Sequence, residues 1–95
     1  MRECIIHGSV VTGWDDLYNK MAADLDFPDW FGRNLDALFD CLTDLQSSQI
    51  TIYHWEELAD KLGSKAKPFR TVLTEAGLEN PKLTVCILNE EADEI

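Results

Sequence analysis

Two carboxylates raise the first chemical question. Asp36 and Asp40 stand four positions apart in FPDWFGRNLDALFDCLTDL, Phe27 to Leu45. A helix through this stretch puts both on one face, where like charges at that spacing oppose the helix. Such a pair can share a proton as acid and base, hold a cation, or meet a cationic partner. The acid–base reading lacks its other parts. No Gly-rich phosphate loop, G-x-S-x-G or H-E-x-x-H accompanies the pair, and a 95-residue chain leaves little room for a substrate pocket. The metal reading is as thin, because Ca²⁺ wants six or more oxygens and Mg²⁺ a tight octahedron. His7, His54, Cys4, Cys41 and Cys86 show no paired ligand spacing either. The chain is therefore expected to be a non-enzyme with no metal and no cofactor.

The elements that must position these residues follow from periodicity. ECIIH (3–7) reads as a strand stopped by Gly8. Thr12, with Asp15 three positions on, is the expected start of a helix whose apolar face is Trp14, Leu17, Tyr18, Met21 and Leu25. Asp26 to Arg33 is a loop punctuated by Pro28 and Gly32. Asn34 is the expected N-cap of a second helix reaching about Asp44, and Gln46 to Ser48 form a polar break. QITIYH (49–54) alternates as a second strand. A short helix closed by Gly63 follows, then a longer one capped by Ser64, with Phe69, Val72, Leu73 and Ala76 facing inward and Gly77, Asn80 and Pro81 ending it. KLTVCIL (82–88) is a third strand, apolar enough to be expected under cover on both faces. The order β-α-α-β-α-α-β, with connections long enough to recross the sheet, gives an α/β class: three parallel strands, right-handed crossovers and about four helices. The 95 residues are expected to form one domain, with an acidic tail over 89–95 frayed.

On a wheel at 100° per residue, Leu35, Leu38, Cys41, Leu42 and Leu45 make the core stripe of the second helix. Asp36, Asp40 and Thr43 fall opposite, flanked by Phe39. A solvated face with one half-buried aromatic is the plain interpretation. The preceding loop tips the balance, because Phe27, Trp30 and Phe31 cannot all be buried cheaply by so short a segment. Phe27 or Phe31 is the better core candidate. An aromatic left outside beside clustered carboxylates looks like an anchor within an electrostatic patch.

Charge sets the class of partner. Eighteen acids against eight bases give a net charge of −10, the wrong sign for neutralising nucleic-acid phosphates or docking on an anionic membrane. A cationic protein fits, as does plain solubility. No apolar run approaches the roughly 20 residues of a membrane span, and MRECIIHG does not resemble a signal peptide. Three cysteines without a C-x-x-C favour a reducing compartment and a packing role. The expectation is a cytoplasmic protein, monomeric when free.

Taken together, Phe27-Pro28, Trp30-Phe31, Gly32 and the run Asn34 through Thr43 resemble the signature of the barstar family, intracellular inhibitors of secreted bacterial ribonucleases. Length, acidity, element order and a weaker match near TEAGLE extend the resemblance over the chain. It implies that carboxylates fill the cationic active site of a small bacterial ribonuclease in place of substrate phosphates. Asp40 matches the residue that enters the phosphate site and Asp36 a second acidic contact. Thr43 matches a hydroxyl contact, Trp30 an aromatic that closes over a catalytic histidine, and Phe39 a second interface aromatic. Glu75 and Glu79 match acids on the fourth helix. Arg33 stands where the family pattern has an acid, Phe39 and Leu45 where it has Trp, and Asp44 where it has Gly. An acidic interaction or immunity module with a partner other than a ribonuclease would keep the same surface and drop the phosphate mimicry.

Overall fold

A computed structural model of the chain describes residues 1–89. Its strands are β1 (Arg2–His7), β2 (Ser48–Tyr53) and β3 (Leu83–Ile87). Its helices are α1 (Trp14–Leu25), α2 (Leu35–Thr43), α3 (Trp55–Leu62) and α4 (Ala66–Glu79), the last two joined through a 3₁₀ turn, Gly63–Lys65. The strands form one parallel sheet in the order β1-β2-β3. The α/β class, the three parallel strands and the element order are those expected from the sequence.

Strand register decides which residues the helices cover. Cys4, Ile50 and Val85 lie side by side, as do Ile6, Ile52 and Ile87. This face carries the core, with α1 against β1 and α4 against β3. The opposite face shows Glu3, Gln49 and Thr84, then Ile5, Thr51 and Cys86, and then the stacked rings of His7 and Tyr53. Cover on both faces of β3 is therefore corrected. The helices lie on one side, and β3 is an edge strand whose Val85, Cys86 and Ile87 are only half-buried. Central β2 is the most buried strand.

Local signals differ from expectation at several ends. Gly13, not Thr12, caps α1, and Asp16, not Asp15, reaches back to accept from the Thr12 backbone N–H at 3.0 Å. Ser48 belongs to β2, and its hydroxyl donates to the Gln46 carbonyl at 2.7 Å. His54 leaves the strand at φ 57 and caps α3. Ser64 caps nothing, because α3 runs through the 3₁₀ turn into α4. Gly77 does not end α4. It lies within the helix, where an added Cβ would come within 3.4 Å of Val85 Cγ2, so its bareness lets α4 lie close on β3. Of the tail expected to fray, only Asn89 is among the described residues, and its Oδ1 accepts from the Glu56 N–H at 3.2 Å.

The parts are fastened by a buried amide. Asn80 Nδ2 donates to the carbonyls of Leu42 and Leu45 at 3.0 Å each, and its Oδ1 accepts from the Lys82 N–H at 3.0 Å. Its own N–H continues α4 to Ala76, and its carbonyl receives Leu83 N–H at the start of β3. One side chain thus ties the C-terminal end of α2 to the turn between α4 and β3. Asn80→Ala strands two acceptors and a donor. It should lower unfolding free energy in urea by about 2–3 kcal/mol; a loss under 1 kcal/mol would contradict this role.

The resolved titration shifts point to alkaline sensitivity. Burial first, then Asp24, pushes the Cys4 thiol from 9.0 up to about 12. Lys20 is also raised, chiefly by its hydrogen bond to Asp24, and Tyr18 by burial. For a proton held more tightly in the folded state, stability is intact below the unfolded pKa and falls as pH rises toward the folded one. Unfolding free energy should therefore drop from pH 9 to 10.5 by about 1–2 kcal/mol. The slope should be shallower in Cys4→Ala, as read from urea melts across that range.

Candidate functional site

The site begins with a turn. Asp26 closes α1 in the left-handed conformation at φ 58, and Phe27 N–H returns to the Ala22 carbonyl at 3.0 Å, which folds Phe27 inward. The Phe31 N–H then bonds the Pro28 carbonyl at 3.0 Å, making a tight turn with Asp29 and Trp30 at its tip. Phe27 is buried and Phe31 is half-buried against the core. Their rings lie 5.0 Å apart, Phe31 meets Tyr18 edge-on at 5.6 Å, and the series continues through Trp14 to Phe69 and Trp55. Trp30 stands outside this ladder and is 80% exposed.

Next comes α2. Asn34 caps it as expected, its Oδ1 accepting from the Ala37 N–H at 2.8 Å. Leu38, Cys41 and Leu42 are buried, and Leu35 and Leu45 pack against the core from its margin. Asp36 and Asp40 are exposed and Phe39 is half-buried. Asp36 costs the helix less than its spacing from Asp40 suggests, because it lies in the first turn, where the backbone N–H groups favour negative charge. Asp40 and Asp44 lie at the other end without that help.

Trp30 and Asp40 border one open hollow of about 220 Å³. Asp26, Asp44, Leu45, Phe27, Pro28 and Cys41 also line it. Among the described residues Arg2 pairs with Asp26 and Lys20 with Asp24, and the His54 ring lies 3.4 Å from Glu57, so Asp36, Asp40 and Asp44 stand without a cation. Burial raises the pKa of the Cys41 thiol, and the Asp40 and Asp44 carboxylates push the same way, so it is a neutral thiol rather than a nucleophile. Among the described residues no group of three or more His, Cys, Asp or Glu is placed to hold a metal, and no helix is long and apolar enough to cross a membrane.

The remaining candidate residues divide. The Thr43 hydroxyl turns back on its own helix, donating to the carbonyls of Phe39 at 3.0 Å and Asp40 at 3.1 Å. Its proton is engaged, so it offers a partner lone pairs only. Glu75 and Glu79 are exposed, and Glu79 is the last residue of α4. At 100° per residue both fall with Val72, away from Arg70, Thr74 and Gly77, which line the groove beside β3. They thus lie on the flank of α4 away from that groove, exposed to solvent. Arg33, at φ 55, directs its guanidinium to Asn19 Oδ1 on α1 rather than to the carboxylates of α2. Reading by residue type missed the sharing of one hollow by Trp30, Asp26 and Asp44. Its only sequence signals were the turn after Pro28 and the extra acid after Thr43.

Fold and site together define a small α/β protein with an acidic face, built from one helix and the aromatic-tipped loop before it. A sequence model of the family described as "Barstar (barnase inhibitor)" matches residues 1–88. The chain is also 40% identical over 78 residues to a Bacillus subtilis (strain 168) protein named "Putative ribonuclease inhibitor YrdF", an alignment covering 80% of this chain and 86% of that one. The chain belongs to the barstar family.

Proposed function

We propose that this chain inhibits a small bacterial ribonuclease by lodging the face of α2 in its cationic active site. The observation that carries this reading is the pairing of Asp40 with the exposed Trp30 ring at one hollow, with no cation among the described residues paired to the carboxylate. A site built to hold phosphate offers several positive groups, and a helix carrying Asp36 and Asp40 presents negative charge at matching range without being a substrate. Asp40 enters deepest, and Asp36 contacts the flank of the cleft. Trp30 closes over an exposed ring of the enzyme, and Phe39 supplies apolar area at the margin. Thr43 accepts a hydrogen bond, and Glu75 and Glu79 extend the acidic surface from α4. No cofactor takes part; inhibition is occupancy. The inhibitor acts in the cytoplasm as a monomer.

Electrostatics favour speed as well as affinity. A chain of net charge −10 approaching a basic nuclease is steered toward it, and such steering raises association rates most at low salt. Like charges concentrated on α2 cost a few tenths of a kcal/mol in the free protein. Pairing with the enzyme's cations more than offsets that.

The test is an inhibition assay against a small secreted guanyl-specific ribonuclease, comparing the wild type with Asp40→Ala. The variant should bind more weakly by at least about 2 kcal/mol, roughly thirtyfold. Its urea stability should change by less than about 0.5 kcal/mol, because Asp40 is exposed and unpaired. Unchanged binding with a large loss of stability would contradict the assignment.

A further inference from the structure

The C-terminal end of α2 carries charge where a helix tolerates it least. The aligned peptide dipoles make that end negative, yet Asp40 lies in the last turn, Asp44 is the C-cap, and no basic residue stands there. Asp44 is exposed and belongs to none of the ion pairs among the described residues. Its only hydrogen bonds there run from its backbone N–H to the carbonyls of Cys41 and Leu42. Any residue except proline makes those, so helix stability gives no reason for a carboxylate at 44.

The hollow supplies one. Asp44 and Asp40 line it together with the exposed Trp30 ring and the apolar side chains of Phe27 and Leu45. Asp26, also in the lining, already has Arg2 at 3.3 Å, which leaves Asp40 and Asp44 as the open acceptors. The surrounding carboxylates are not placed to close round a metal ion, so the cation that fits is larger. We infer that Asp44 is a specificity-determining residue of the partner face, and that with Asp40 it receives one arginine side chain of the partner, laid against Trp30. This rests on the reading of that face as the partner-binding surface. A guanidinium has five N–H donors in a rigid plane. It can reach two separate carboxylates while its face lies on an indole, the best ring for a cation. A lysine ammonium is a compact, strongly hydrated point charge and does not meet both demands. The apolar lining lowers the local dielectric and strengthens the pairing.

The experiment uses the full chain, ¹⁵N-labelled and titrated with N-acetyl-arginine amide, then with N-acetyl-lysine amide. The Trp30 indole N–H and the backbone N–H groups of Asp40 and Asp44 should shift saturably, with a dissociation constant on the order of millimolar. The lysine compound should bind at least about threefold more weakly. Asp44→Asn should weaken arginine-amide binding about fivefold or more while raising Tm by about 2–4 °C, because it removes a misplaced charge. Asp60→Asn, on exposed α3, should leave binding unchanged. Opposite signs in binding and stability separate this role from a structural one. Equal binding of the two amides, shifts spread without saturation over the acidic surface, or a lowered Tm in Asp44→Asn would overturn the inference. Ribonuclease inhibition measured in parallel separates the two claims. Inhibition without saturable arginine binding would overturn the inference alone. Saturable arginine binding without inhibition would keep the hollow and overturn the ribonuclease reading.

Discussion

The buried carboxamide of Asn80 is the constraint on which the site depends. A nine-residue helix such as α2 has little stability of its own, and its acids make that worse. Its N-terminal end is held by Asn34, but the end bearing Asp40 and Asp44 has no basic residue to balance it. Asn80 takes up the carbonyls of Leu42 and Leu45 there and fixes the same point to α4 and β3. With Asn34 and Asn80 each taking up backbone groups at one end of α2 and Leu38, Cys41 and Leu42 in the core, the outer face is free to carry residues that contribute little to folding. Among the described residues no buried side-chain nitrogen or oxygen lacks a partner.

The same division of labour runs through the loop. Phe27 and Phe31 join the aromatic series that crosses the core, and this anchors the short turn rising from Pro28. Trp30 stands at the tip of that turn, 80% exposed. Arg33 does not line the hollow, and its guanidinium is directed to Asn19 on α1.

Much of this was legible in the residues themselves. The period of Leu35, Leu38, Cys41 and Leu42 fixed the inner face of α2, and therefore the outward direction of Asp36 and Asp40. The crowding of three aromatics in one loop implied that one would be exposed. Asn80 was read only as a helix terminator, since nothing local says that its amide will find carbonyls 35 and 38 residues away. KLTVCIL was read as doubly covered because an apolar run reports burial but not position in the sheet. Gly77 looked like a stop because contact with Val85 is a property of packing. The Thr43 hydroxyl looked available because its bonds back to the helix appear only in three dimensions. The hollow depends on a turn, a helix end and an acid meeting in space, and no spacing rule finds that.

The central claim is that the face of α2 occupies a phosphate-binding active site rather than some other basic surface. The most direct measurement is calorimetric titration of this protein into a guanyl-specific ribonuclease, with and without a saturating guanosine monophosphate. Competition predicts that the nucleotide weakens apparent affinity in proportion to its own occupancy of the site, and more strongly as its concentration rises. An affinity that does not change with nucleotide would place the contact outside the active site and contradict the account.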